Sequence, residues 1–273
     1  MDGQYIHRDR EEPQAALQSL DKITRLIEAR PFCHLFLDFD GTLAPIVARP
    51  GLAQLPQEAR DCLTMLLKKP RFRLSVISGR SLEELSHLLA IEGIVMAGNH
   101  GLEIRGPGMD FIHQEAQRLK GKLREFRKRL EEKIYQIEGA LVEDKGLTVS
   151  LHYRMVPEHK LHQVYQALQR ALAEETDLIV REGKMVLEVR PRVDWDKGRA
   201  VLWVLGSLHG PKWERDCLPI YLGDDLTDED AFRTLRGRGI SIFVGSNLEQ
   251  SSADYYLSSP SQVIQFLSWL QRL

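Results

Sequence analysis

Twice along the chain, short apolar runs alternate with helical stretches, and that alternation leaves few folds open. In the first part, "HLFLDF" (34–39), a helix after Pro56, "RLSVIS" (73–78), a helix from Ser81 and "GIVMAGNHG" (93–101) read β-α-β-α-β. Later, "DWDKGRAVLWVLGSL" reads as a helix, "LPIYLGDD" as a strand, "DEDAFRTLRG" as a helix, "ISIFVG" as a strand and "VIQFLSWLQRL" as a last helix. Strands separated by helices pair in parallel, so the expected class is α/β with a doubly wound parallel-sheet (Rossmann-like) core. Ligands of such sheets sit at the carboxyl ends of the strands, where Asp38, Ser78 and Asp224 fall.

Between these halves the texture changes, and residues 109–190 are expected to form an inserted α/β cap domain within a discontinuous core of residues 1–108 and 191–273. "QRLKGKLREFRKRLEEKIYQI" spaces Leu119, Leu123, Phe126, Leu130, Ile134 and Ile137 by threes and fours, so one helix face packs and the basic remainder is solvated. "LVEDKGLTVSLHYR" reads as two strands around Lys145-Gly146, and "DLIVREGKMVLEVRP" as two more around Glu182-Gly183. The segment before Pro31 reads as a helix leaning on the core.

Composition excludes several partners. The 273 residues are 43% hydrophobic and 28% charged, a globular balance, and a net charge of −2 gives no basic field for nucleic acid. No run reaches the ~20 apolar residues of a membrane span, and the N-terminus lacks the apolar core of a signal peptide. Three dispersed cysteines, an odd number, suit reduced thiols in a cytoplasmic setting. The expected partner is a small molecule, with a monomer favoured.

The polar strand ends carry the chemistry. Side chains at i and i+2 of a strand share a face, so Asp38 and Asp40 of "DFDGT" are expected to crowd two anions together, which a cation or a shared proton must relieve. The bland alternative is a strand followed by an Asp-Gly turn. Ser81 with Glu84 makes a capping box, and Thr227 with Asp230 could make another. Ser78 is either a phosphoryl-oxygen donor or a turn cap. Asp224 and Asp225 exceed what capping needs. Lys197 stands at a helix start, where the macrodipole disfavours a cation unless an anion is near.

"DFDGTLAPI", "VISGR", "DWDKGRAV" and "GDDLTDEDAF", in this order, resemble the four motifs of the haloacid dehalogenase superfamily of aspartate-nucleophile phosphatases. "AGNHGLEI", "VEDKGLTVSLHYR" and "GKMVLEVRPRVDWDKG" are similar to its trehalose-6-phosphate phosphatase family. The resemblance implies Asp38 as nucleophile, Asp40 as general acid and base, and Ser78 and Lys197 as phosphoryl-group ligands. It also implies Mg2+ held by Asp38, Asp40 and Asp224, with Thr42, Asp225 and Asp228 behind them. For the sugar it implies Gly79, Arg80, Asn99, His100, Glu143, Lys145, Arg154, Lys184 and Glu188. Asn99 departs from the pattern, where a smaller residue is expected before His-Gly. The expected function is magnesium-dependent hydrolysis of trehalose 6-phosphate through an aspartyl-phosphate. Phosphatases for sucrose or mannosylglycerate phosphates, a phosphomutase, and a non-catalytic phosphosugar-binding subunit of a trehalose-synthesising assembly are the alternatives.

Overall fold

The structure is a computed structural model that describes residues 12–47, 50–173, 175–246 and 251–273. Its strands, in chain order, are β1 (Gln14–Ala15), β2 (Phe32–Leu37), β3 (Phe72–Ile77), β4 (Val95–Gly98), β5 (Glu103–Gly106), β6 (Met109–Ile112), β7 (Leu141–Asp144), β8 (Val149–His152), β9 (Leu178–Gly183), β10 (Val186–Pro191), β11 (Cys217–Gly223), β12 (Ile240–Val244) and β13 (Tyr255–Leu257). Nine of them form one sheet in the order β1-β13-β12-β11-β2-β3-β4-β5-β6. From β1 to β4 every pairing is parallel, and only the β4-β5-β6 edge is antiparallel.

Central β2 explains why the sheet is covered on both faces. Its sequence FCHLFL is apolar with one histidine, and its alternate side chains enter different cores. Leu35 and Leu37 pack with helices Leu20–Glu28, Gln57–Leu67, Leu82–Leu89 and Pro260–Leu270, whereas Phe36 packs with helices Lys197–His209 and Asp228–Leu235. The expected helix before Pro31 is Leu20–Glu28; residues 1–11 of that segment lie outside the described residues. All three cysteines are buried and free. Among the described residues, no helix is long and apolar enough to cross a membrane.

β7, β8, β10 and β9 form a separate antiparallel sheet in that order. One face of it packs Leu151, Leu187 and Val189 against Leu123, Phe126 and Leu130 of helix Lys120–Ile134 and Val164 and Leu168 of helix Leu161–Leu172. The basic face of the longer helix is solvated and carries ion pairs such as Lys122–Asp177 and Arg127–Asp144. Met109–Ile112 pairs with β5 and so belongs to the large sheet, which moves the start of the inserted unit past 109. The second hairpin turns at Lys184-Met185, two residues beyond the expected Glu182-Gly183, because β9 continues through Gly183. Lys184 therefore sits on the hairpin tip, and Lys145 likewise follows the end of β7.

Candidate active site

Parallel pairing brings the carboxyl ends of β2, β3 and β11 side by side, and the helix Lys197–His209 starts beside them. Asp38 follows the last residue of β2, and its N–H still donates to the Leu222 carbonyl at 2.9 Å. The strand ends there. Phe39 accepts from Leu43 and Ala44 N–H groups in a tight turn, so Asp40 lies beyond the strand, yet it lines the same cavity as Asp38. Gly41 makes this turn possible: its φ is +84°, and a Cβ there would lie 2.0 Å from Asp224 Oδ2.

Each carboxylate has its own cation. Lys197, 2% exposed, donates to Asp38 Oδ1 and Asp228 Oδ1, both at 2.7 Å. This anion pair offsets the unfavourable position of an ammonium at a helix start, where Asp196 supplies the cap by accepting from Arg199 N–H. Asp228, fully buried, also accepts from the Tyr221 hydroxyl at 2.7 Å and from the N–H groups of Asp224 and Asp225. Asp40 is gripped by Arg80, whose Nε and Nη2 each donate to one of its oxygens at 2.7 Å. Arg80 also pairs with Glu84. Ser81 caps the helix Leu82–Leu89 as expected, whereas Thr227 makes no side-chain cap for the helix Asp228–Leu235.

One oxygen from each of Asp38, Asp224 and Asp228 lies within 4.8 Å of the others. Burial, joined by Asp228 and Asp224, pushes the Asp38 carboxyl well up despite Lys197. Burial likewise pushes Asp224 up to about 6, although Lys184 opposes it. Lys184 reaches from its hairpin tip to the Asp224 carboxylate and, at 3.1 Å, to its carbonyl oxygen. A buried oxygen cluster whose charge asks for a cation fits a hard divalent ion such as Mg2+. Thr42 Oγ1 is buried and has no hydrogen-bond partner among the described residues.

Above these groups lies a cavity of about 450 Å³ that the small sheet roofs. Glu143, Ser150, Glu188 and Arg181 stand in one register rank across β7, β8, β10 and β9, and all four line the cavity. Lys145 Nζ donates to the Gly79 carbonyl at 2.9 Å and lies 3.6 Å from Glu188. His100 Nε2 meets Glu188 at 2.7 Å, and His152 Nε2 meets Glu143 at 2.6 Å. Burial alone would raise Glu188, but His100 and then Lys145 override it and hold the carboxyl at about 2. Arg154 donates to the Lys184 carbonyl at 2.9 Å and so braces that hairpin tip.

Ser78, Gly79, Arg80, His100, Glu143, Lys145, Arg154, Lys184 and Glu188 thus line one cavity with Asp38, Asp40, Lys197, Asp224 and Asp225. Asn99 does not: it is fully buried behind the wall, where its amide bonds to Glu103, Lys145 and Thr148. Tyr221, Ser150 and His152 were not expected. The parity of β8 could have found the last two, since they alternate on the face that Glu143 opposes. Nothing local distinguishes Tyr221 from an ordinary strand tyrosine.

A sheet covered by helices on both faces, with a lysine-bridged aspartate cluster at its carboxyl edge and a second sheet above it, has the architecture of the haloacid-dehalogenase-like fold. Comparison with known proteins then narrows the class. The family model described as Trehalose-phosphatase matches residues 36–261, and the chain belongs to that family. It is similar to a probable trehalose-phosphate phosphatase D of Arabidopsis thaliana, with 38% identity covering 86% of this chain and 66% of that one. The chain thus spans just under two thirds of that relative's length. Among solved structures, an Aspergillus fumigatus trehalose-6-phosphate phosphatase is 27% identical with a TM-score of 0.64, covering 96% of this chain and 99% of that one. The C-terminal domain of a C. albicans trehalose-6-phosphate phosphatase shares the fold, with a TM-score of 0.80, 24% identity and coverage of 97% and 100%.

Proposed function

We propose that this protein hydrolyses trehalose 6-phosphate to trehalose and phosphate, with Asp38 as nucleophile. The observation that carries this reading is the Lys197 bridge: it holds Asp38 Oδ1 at 2.7 Å where Asp38 and Lys197 both line the cavity. Asp38 attacks phosphorus, an aspartyl-phosphate forms, and the sugar oxygen departs. Asp40 gives that oxygen a proton, then takes one from the water that attacks the aspartyl-phosphate and frees phosphate. For the first step one Asp40 oxygen, with the proton it gives, must leave the Arg80 fork and reach the departing sugar oxygen.

Lys197 and the Ser78 hydroxyl bind phosphoryl oxygens, while Asp228 and Tyr221 keep Lys197 in place. Asp38, Asp224 and the Asp40 carbonyl would hold Mg2+, with Asp225 and Thr42 beside them. The ion, when bound, neutralises charge on the transferring group. Lys184, now on Asp224, would release that carboxylate to the ion and turn to the substrate. The core of residues 1–108 and 191–273 supplies this chemistry, and the cap within 109–190 selects the sugar. Glu143, Lys145, Glu188, His100, Lys184 and Arg154 accept from and donate to sugar hydroxyls.

The test is phosphate release from trehalose 6-phosphate, sucrose 6-phosphate and a mannosylglycerate phosphate, with magnesium and with excess chelator. Magnesium-dependent release fastest from trehalose 6-phosphate is expected. Release that persists in metal-free chelator contradicts the mechanism, and faster release from another sugar contradicts the substrate.

A further inference from the structure

At the end of β4 three successive residues have positive φ: Asn99 at 49°, His100 at 57° and Gly101 at 90°. Asparagine tolerates this left-handed conformation better than most side chains, so backbone shape alone could explain it. Its hydrogen bonds say more. Nδ2 donates to Glu103 Oε1 at 2.6 Å, on β5 of the core, and to the Lys145 carbonyl at 2.9 Å, in the cap. Oδ1 accepts from the Thr148 hydroxyl at 2.8 Å, also in the cap. Both amide protons are therefore used, and the residue is 0% exposed.

The partners lie next to the groups that matter for the sugar. Thr148 Oγ1 is also 3.3 Å from Glu188 Oε1, and the Lys145 carbonyl belongs to the residue whose ammonium faces Glu188. On the other side, Asn99 N–H donates at 2.7 Å to the carbonyl of Arg80, the residue that grips Asp40. Two residues on, the Gly101 carbonyl accepts from Trp195 Nε1 at 2.8 Å, in the segment that returns the chain from cap to core. Asn99 thus meets the clamp on Asp40 through its backbone, while its amide side chain joins β5 to the turn that carries Lys145.

We propose that Asn99 is a positioning residue that sets Lys145 and Glu188 against the core, and through them decides how strongly this chain prefers a sugar phosphate to a phosphate without a sugar. The inference rests on the phosphatase reading above. It also explains why a larger, amide-bearing residue stands where a smaller one was expected: no smaller side chain spans both units with a donor and an acceptor.

The experiment compares wild type, Asn99→Gly, Thr148→Val and the double variant on trehalose 6-phosphate and on a small aryl phosphate. Glycine keeps the left-handed backbone and removes only the amide. Asn99→Gly is expected to lower kcat/KM for the sugar phosphate about tenfold, mainly through KM, while aryl phosphate turnover changes less than about twofold. Thr148→Val is expected to act in the same direction, and the double variant to be no worse than the worse single within about twofold, because both break one connection. Equal losses on both substrates, losses that multiply in the double variant, or no loss overturn the proposal. Thr148→Val leaves the strained backbone untouched and decides alone should Asn99→Gly fail to fold. If wild type cleaves a different sugar phosphate instead, the substrate reading fails and the same comparison is made with that sugar.

Discussion

The core end of the cavity and its cap end are both charged, yet they are built differently. In the core, Lys197 with Asp38 and Asp228 forms a closed cluster at most 5% exposed, supplied by the end of β2 and two helix starts. In the cap, Glu143, Ser150, Glu188 and Arg181 are spread along a sheet face, and Lys184 and Arg181 are exposed. Buried charges held by several partners cannot move without leaving one uncompensated, whereas a rank of separate side chains can change one contact at a time. The first arrangement suits a reaction that must not vary, and the second suits a choice among substrates.

The largest expected effect breaks the core end. Asp38→Asn keeps the shape but removes the nucleophile, and steady-state turnover on every substrate should fall below a few per cent of wild type with the fold intact by circular dichroism. Lys197→Met should follow: it strands two buried carboxylates, so urea denaturation should show a loss of about 3–5 kcal/mol, and unchanged stability would contradict the closed cluster. At the cap end, Lys145→Ala or Glu188→Ala should lower kcat/KM for trehalose 6-phosphate at least ~10-fold, about 1.4 kcal/mol, with a smaller loss on an aryl phosphate.

The smallest effect concerns pH. Glu188 is held at about 2 in the folded chain, below the ~4.3 of a free glutamate. A depressed carboxyl stabilises the fold above its unfolded value and loses that contribution as pH falls from about 4.3 toward 2. The stability gap between wild type and Glu188→Gln should therefore narrow between pH 5 and pH 3. A gap that widens would mean that Glu188 is not held by His100 and Lys145.

The same contrast governs what could be read in advance. Apolar alternation and strand-end acids are local signals, so the parallel sheet, the helix starting at Lys197 and the convergence of Asp38, Ser78 and Asp224 were legible. That Asp38 and Asp40 lie past the end of the strand was not legible, because its stop at Leu37 depends on the turn bonds from Leu43 and Ala44 to Phe39. In the cap, Glu188 lines up with Ser150 and Glu143 only through the pairing of β10 with β8, strands over 30 residues apart, which spacing within one strand does not encode. Asn99 was placed at the sugar for the same reason: its partners Lys145 and Thr148 are distant in the chain.

The division between a common core and a selective cap is tested most directly by one ratio, kcat/KM for trehalose 6-phosphate over that for a small aryl phosphate, measured in wild type, Asp38→Asn and Glu188→Ala. The ratio should fall at least ~10-fold in Glu188→Ala, whereas Asp38→Asn should lower both substrates together until neither is turned over measurably. A Glu188→Ala enzyme that loses both substrates equally, or an Asp38→Asn enzyme that keeps either, would contradict it.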